Sequence, residues 1–375
     1  MNSIETIICL ILLLMAVPDV CRKLGRPALA NVGFVIFGLA LSLLVKTDVA
    51  TMIKEAGEVG FLLVLFEVGL EIDLPPFREL LPSLRFAGLW SLAQYPVVLA
   101  LACVSGLTLP EGLLAAAALT GCSMSMAYSG WKHYPGIAPA ARAFTLQIMI
   151  ALEVLAIVVL SLGAAAVKSG LGWNVLLKLA GMAVTVFLIS RFASHLVKLC
   201  QTIIQKTTHW RVHFLVLLVL IICAVGERLG LSAAKTAFFL GLFMSRAKFD
   251  GVGIEEYIAP ISRRFLIPIF FMSLGLLADV RMVISHTALL AGCGVLLLVG
   301  FREALHRRWL KTGGDPATYL LLCPNLTMAA LAATSLHATG AANAATWVTV
   351  SGLLMSVISL CLLPKVGAAE SPQPV

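Results

Sequence analysis

The sequence predicts an all-α membrane protein of about 13 transmembrane helices, with inverted repeats and two crossed discontinuous helices. Three observations lead there. Of 375 residues, 60% are hydrophobic and only 12% are charged. Soluble domains carry about a quarter charged residues, so lipid must solvate most of this surface. Thirteen apolar segments can be marked, most of them near the ~20 residues that cross a hydrocarbon layer. The chain also resembles itself weakly at an offset of 205 to 206 residues.

In order, the segments cover 4–20, 28–46, 56–74, 84–107, 110–130, 142–166, 173–197, 210–226, 231–246, 264–278, 282–304, 317–336 and 342–363. The first follows Glu5 and no basic residue, so it reads as a retained helix rather than a cleaved leader. The eighth and ninth are short. With the N-terminus outside, twenty of the 27 Lys and Arg fall on the inner side and six on the outer side, and Lys235 lies within a span. That bias predicts an outside N-terminus and a cytoplasmic C-terminus. The net charge of +8 thus reports loop orientation and not a nucleic-acid surface. The nine cysteines are scattered, with no spacing that suggests a metal site or a disulfide framework. After Pro364 only a short tail is expected, so any nucleotide-binding regulator would be a separate subunit.

The self-resemblance divides the chain. Leu24–Ala28 recurs as Leu229–Ala233, and Gly69–Asp73 recurs as Gly275–Asp279. The offset spans seven helices, an odd number, so the second copy would be inverted in the membrane. The expected units are 1–167, the first inverted repeat with helices 1–6; 168–205, the connecting helix 7; 206–365, the second inverted repeat with helices 8–13; and 366–375, a short cytoplasmic tail. Inverted repeats point to secondary transporters, whose sites lie near the bilayer midplane on broken helices. The same offset carries Thr120, Gly121, Cys122 and Ser123 of helix 5 onto Asn325, Leu326, Thr327 and Met328 of helix 12. Pro324 removes a backbone donor there and favours a break. A plainer alternative is that these small residues only pack helices closely.

Of the nineteen carboxylates, seventeen lie in loops, at helix ends or in the tail, and two lie deep: Glu67 in helix 3 and Glu153 in helix 6. Glu153 is eleven residues beyond Arg142 at the inner edge, about 16 Å along a helix. Gly121, Glu67 and Asn325 fall at a similar depth. A charge at that depth costs at least ~2.5–3.5 kcal/mol, which makes it a functional candidate. Either residue could instead sit in a structural ion pair. Arg302, after the apolar run of helix 11, is a candidate counter-charge and a candidate partner of Glu67, or it snorkels to the inner interface. Lys235 has the same two readings on the outer side. The tryptophans read as interface anchors.

The residues carry a family resemblance. Arg22-Lys23-Leu24-Gly25-Arg26-Pro27 with Gly38, then Val59 through Glu71 with its Phe66-Glu67-Val68-Gly69-Leu70-Glu71, is similar to the start of Kef- and NapA-like monovalent cation:proton antiporters of the sodium/hydrogen exchanger superfamily. Glu227 to Ser232, Ala237 to Leu242 and Phe265 to Asp279 resemble that family's second half. The resemblance implies a homodimer of protomers with about thirteen helices, in which a core with two crossed broken helices moves against a dimerisation domain. It implies that Glu153, which stands where the family has an aspartate, binds a proton and a monovalent cation (Na+ or K+) in competition. It also implies neutral ligands from Thr120, Cys122, Ser123, Asn325 and Thr327. Three positions depart from the family pattern: Leu152-Glu153 replaces Gln- or Asn-Asp, Leu326-Thr327 replaces Gly-Glu, and Arg302 replaces a lysine.

The expected function is therefore proton-coupled antiport in a membrane, most naturally a bacterial inner membrane, with no cofactor and no nucleic-acid partner. Proton-driven efflux of a small organic solute on the same scaffold is an alternative. A transport-inactive sensor or scaffold subunit is another. No His/Glu zinc spacing and no Ser/Lys or paired-Asp arrangement at one depth suggests an intramembrane enzyme.

Overall fold

The computed structural model describes residues 3–44, 47–71, 77–132, 134–135, 137–169, 210–228, 233–245, 248–249, 252–277, 286–309 and 317–364. The seventh apolar segment, 173–197, lies outside the described residues. The other twelve are helical. They are α1 (Ser3–Lys23), α2 (Leu29–Ser42), α3 (Thr47–Glu71), α4 (Phe77–Val104), the pair α5 (Leu109–Thr120) and α6 (Met124–Lys132), α7 (Pro139–Ser169), α8 (Arg211–Arg228), α9 (Ala233–Met244), α10 (Ile254–Ile261) running into α11 (Ile267–Leu277), α12 (His286–Arg308), a 3-10 turn (Thr318–Leu322) followed by α13 (Leu326–His337), and α14 (Ala342–Leu362). Among the described residues, six helical stretches are long and apolar enough to cross a membrane alone. Exposed Ile8, Leu12, Met15, Leu92, Leu217 and Leu296 leave a surface fit for lipid rather than water.

One boundary differs from expectation. The tenth segment was expected to begin at 264, after Arg263. The helix instead begins at Ile254 and passes through Pro260 by way of a π turn at Ser262–Leu266. Proline cannot donate to the ladder, and the wider turn lets the helix continue past it. Lys248–Phe249 and Val252–Gly253 form a small antiparallel pair just before it. The tryptophans also divide: Trp210 and Trp309 are exposed, whereas Trp90 and Trp347 are fully buried and anchor no interface.

Among the described residues, two helix pairs touch backbone to backbone through a glycine on each side. A Cβ at Gly38 of α2 would lie 2.0 Å from the Met272 carbonyl of α11, and one at Gly275 would lie 2.1 Å from the Val35 carbonyl. In the same way, a Cβ at Gly69 of α3 would lie 2.3 Å from the Phe238 carbonyl of α9, and one at Gly241 would lie 2.1 Å from the Phe66 carbonyl. Only glycine allows either crossing. In a membrane, where helix association relies on packing, such contacts fix which helices pair. α4, α5 and α7 pack together, and α14 packs against both α12 and α13.

Candidate functional site

Helix 5 stops at Thr120. Its start is secured by a capping box, in which Thr108 and Glu111 satisfy each other's backbone N–H groups. Its end is set by Gly121, whose extended backbone (φ −71°, ψ 168°) leaves the helix. Gly121 also presses against α7, where a Cβ would lie 2.7 Å from that of Ala156. The chain resumes as α6 at Met124. In the second half, Cys323, Pro324 and Asn325 separate the 3-10 turn from α13.

The two interruptions meet. The Ser123 backbone N–H donates to the Pro324 carbonyl at 2.6 Å. The Ser123 and Thr327 hydroxyls share a hydrogen bond of 2.8 Å. Cys122 Sγ donates to the Leu321 carbonyl at 3.4 Å. Breaking a helix exposes backbone groups that lipid cannot satisfy, and here each interruption satisfies part of the other.

Charged groups serve the remaining ends in the sense the half-helix dipoles require. At the C-terminal end of α5, the Leu119 carbonyl accepts from Asn325 Nδ2 at 2.9 Å and from Arg302 Nη2. A cation at a helix C-terminus is favoured. At the start of α6, the Met124 backbone N–H donates to Glu153 Oε1 at 3.3 Å. An anion at a helix N-terminus is favoured for the same reason. Glu153, Arg302, Ser123 and Asn325 are all fully buried. The α13 end is served by a neutral group, Ser356 Oγ of α14, which accepts from the N–H groups of Asn325 at 3.2 Å and Leu326 at 3.1 Å.

Of the residues singled out in the sequence, Cys122, Ser123, Asn325, Thr327, Glu153 and Arg302 come together at this crossing. Thr120 lies beside it and is buried, but its hydroxyl donates back to the Ala116 carbonyl of its own helix at 2.8 Å. Arg302 does not snorkel: its fully buried guanidinium points inward. Nor does it pair with Glu67, as the sequence suggested. Glu67 is bonded to Ser262 Oγ in the π turn, and its other oxygen faces Arg263 Nε at 3.5 Å. Arg263 also binds Glu255. The side chain of Lys235 lies outside the described residues. Three contributors were missed: Gln94, Ser356 and Ser262. Gln94 and Ser356 are polar side chains within apolar runs, which is the one trace they leave in the sequence; Ser262, beside Arg263 and Arg264, falls outside the expected span and leaves none.

Residues 9–363 match the family described as "Sodium/hydrogen exchanger, transmembrane". The "Probable Na(+)/H(+) antiporter 3" of Methanocaldococcus jannaschii is 24% identical over 291 residues, covering 73% of this chain and 71% of that protein. The solved structure of the sodium proton antiporter MjNhaP1 from the same organism, at pH 8, superposes with a TM-score of 0.70. That match has 16% identity and covers 96% of this chain and 95% of the other. It is a likeness of fold.

Proposed function

The chain belongs to the sodium/hydrogen exchanger family, an integral membrane family of transporters rather than enzymes, and we propose that it exchanges protons for Na+ or K+ at Glu153. The observation that carries this reading is the buried Glu153 carboxylate, held by the backbone N–H of Met124 where the two interrupted helices meet. A proton or a monovalent cation can neutralise that carboxylate, but not both at once. Competition of that kind couples two opposed fluxes without any contact between the ions. The hydroxyls of Ser123 and Thr327 and the Asn325 amide oxygen are neutral oxygens at the same crossing that a hard cation could use. Arg302, whose guanidinium is held at the same crossing, supplies the positive field that keeps the ion-free carboxylate tolerable.

The reading extends to the architecture. Repeats at 1–167 and 206–365 are supported by the two glycine crossings. Gly69 and Gly275 are 206 residues apart, Gly38 and Gly241 are 203 apart, and the two pairs join helix 2 to helix 10 and helix 9 to helix 3. An exchange of partners of that kind is what a two-fold axis in the membrane plane produces. The working unit is a homodimer in a bacterial inner membrane, with the N-terminus outside and the C-terminus cytoplasmic, in keeping with the twenty-to-six charge bias.

The test is dissipation of an imposed pH gradient in proteoliposomes, with Na+, K+ and Li+ added in turn. Dissipation by Na+ or K+ is expected. No response to any of the three would overturn cation exchange and leave solute efflux or a sensor role.

A further inference from the structure

Arg302 is held from two sides, and only one belongs to the crossing. Its Nη2 reaches the Leu119 carbonyl at the break, while its Nε donates to Gln94 Oε1 at 2.6 Å. Gln94 lies in the middle of α4, 208 residues away, and is fully buried. The orientation of its amide is set on the other side, where Nε2 donates to the Trp90 carbonyl at 2.7 Å. The nitrogen must face that carbonyl, so the oxygen must face the guanidinium. The chain Trp90 carbonyl, Gln94 amide, Arg302 guanidinium and Leu119 carbonyl therefore runs from the α4 backbone to the broken end of α5.

We propose that Gln94 is a positioning residue for the exchange site: a neutral acceptor that aims the Arg302 guanidinium at the broken end of α5 without neutralising its charge. The inference deepens the exchange reading at Glu153 and rests on it. The chemistry of residue 94 is what matters. A leucine there would leave the Nε–H without an acceptor and the guanidinium free to turn. A glutamate would accept the same bond, but would face the Trp90 carbonyl with a second oxygen and place a negative charge on Arg302. The crossing would then lose its net positive field. Glutamine alone satisfies the guanidinium, satisfies the Trp90 carbonyl and leaves the charge intact.

The ionisable groups around this end of the crossing are Glu153 on α7, Cys122 in the first interruption, Cys323 in the second, Tyr319 in the 3-10 turn, and His306, Glu303 and Arg307 on α12 itself, where Glu303 and Arg307 pair with each other. Glu153 is the fully buried carboxylate among them and meets the same pair of helix ends as Arg302, so a change in the field around Arg302 is read chiefly through its proton. With Arg302 neutralised, the proton is held to higher pH, and a cation can compete for Glu153 only there.

The experiment compares wild type, Gln94→Glu, Gln94→Leu and Gln94→Met across pH in proteoliposomes. Gln94→Glu is expected to move the acid limb of the exchange profile to higher pH by about one unit or more, the size of effect a neighbouring charge exerts. Gln94→Leu and Gln94→Met keep the charge. They are expected to lower the maximal rate about tenfold or less, with little movement of the limb. A merely structural glutamine would lower all three rates together and leave the pH midpoint where it is, and that result overturns the proposal. The same midpoint is read without transport, as the pH above which added Na+ or K+ raises Tm in detergent. If wild type exchanges no cation, the exchange reading falls. The midpoint of Tm against pH in Gln94→Glu, measured without added cation, then still decides the role of Gln94: an upward shift from wild type retains it, and an unmoved midpoint ends it.

Discussion

Glu67 and Glu153 are equally deep in the sequence and nearly equally buried in the structure, yet their surroundings differ in kind. Glu67 sits among side chains that bring their own answer to its charge: the Ser262 hydroxyl, and the Arg263 guanidinium at 3.5 Å. Arg263 is half-exposed and is shared with Glu255. Glu153 instead meets a backbone N–H of an interrupted helix, and the guanidinium nearest the crossing is spent on Gln94 and the Leu119 carbonyl. One carboxylate is compensated by a half-exposed side chain, the other by a fixed backbone dipole, with Arg302 held at the same crossing. Fixed dipoles stabilise a bound charge without occupying its place, which suits a site that must exchange its occupant. A paired arginine occupies the place itself.

The strongest way to break this comparison is Glu153→Gln. The amide keeps the size of the side chain and can still accept from the Met124 N–H, so the protein should fold. It cannot titrate. Exchange should fall at least about 100-fold, with Tm in detergent close to wild type. Full transport with an unchanged pH profile would remove Glu153 from the mechanism and move the coupling role to Glu67.

Glu67→Gln sharpens the same contrast. The amide retains a bond to the Ser262 hydroxyl and loses only the ion pair with Arg263. Glu67 is buried, but Arg263 is half-exposed and screened by solvent, so the pair is worth on the order of 1 kcal/mol. The exchange rate should drop no more than about fivefold at unchanged pH midpoint. A loss as deep as that of Glu153→Gln would mean that the two carboxylates share one site and that the difference in their surroundings is incidental.

How far these differences could be read from sequence depends on the direction of the side chain. Depth along a helix follows from counting residues, so the levels of Glu153, Gly121 and Asn325 were accessible. Breaks follow from local chemistry, so Pro324 marked the second interruption. Azimuth does not follow from either in a helix that is apolar on every side, because no polar face orients it. Arg302 therefore stood as the candidate partner of Glu67, nothing in the sequence turned that carboxylate toward Arg263, and Gln94 carried no hint of a partner in α12. Ser356 was hidden for the same reason among the hydroxyls of α14. The extent of the tenth helix was missed because Pro260 and the Arg263-Arg264 pair mimic a boundary, while the π turn carries the helix through both.

The smallest effect in this series belongs to Arg263, and its sign is the informative part. Arg263→Gln removes the cation that faces Glu67 and is also bound to Glu255. The Ser262 hydroxyl still donates to Glu67, so the buried carboxylate keeps one partner and can take a proton in place of the lost ion pair. Tm should fall by less than about 3 °C, in line with a screened pair in a large chain. If Glu67 stands apart from transport, the exchange rate should stay within about twofold of wild type, a change of only a few tenths of a kcal/mol. If the arginine instead holds a second cation-accepting carboxylate shut, its removal should raise exchange at low cation concentration and lower the apparent KM. Measuring KM and maximal rate for Arg263→Gln alone and combined with Glu67→Gln separates the two. A gain that disappears in the double variant would place Glu67 on the ion path and end the division between the two carboxylates.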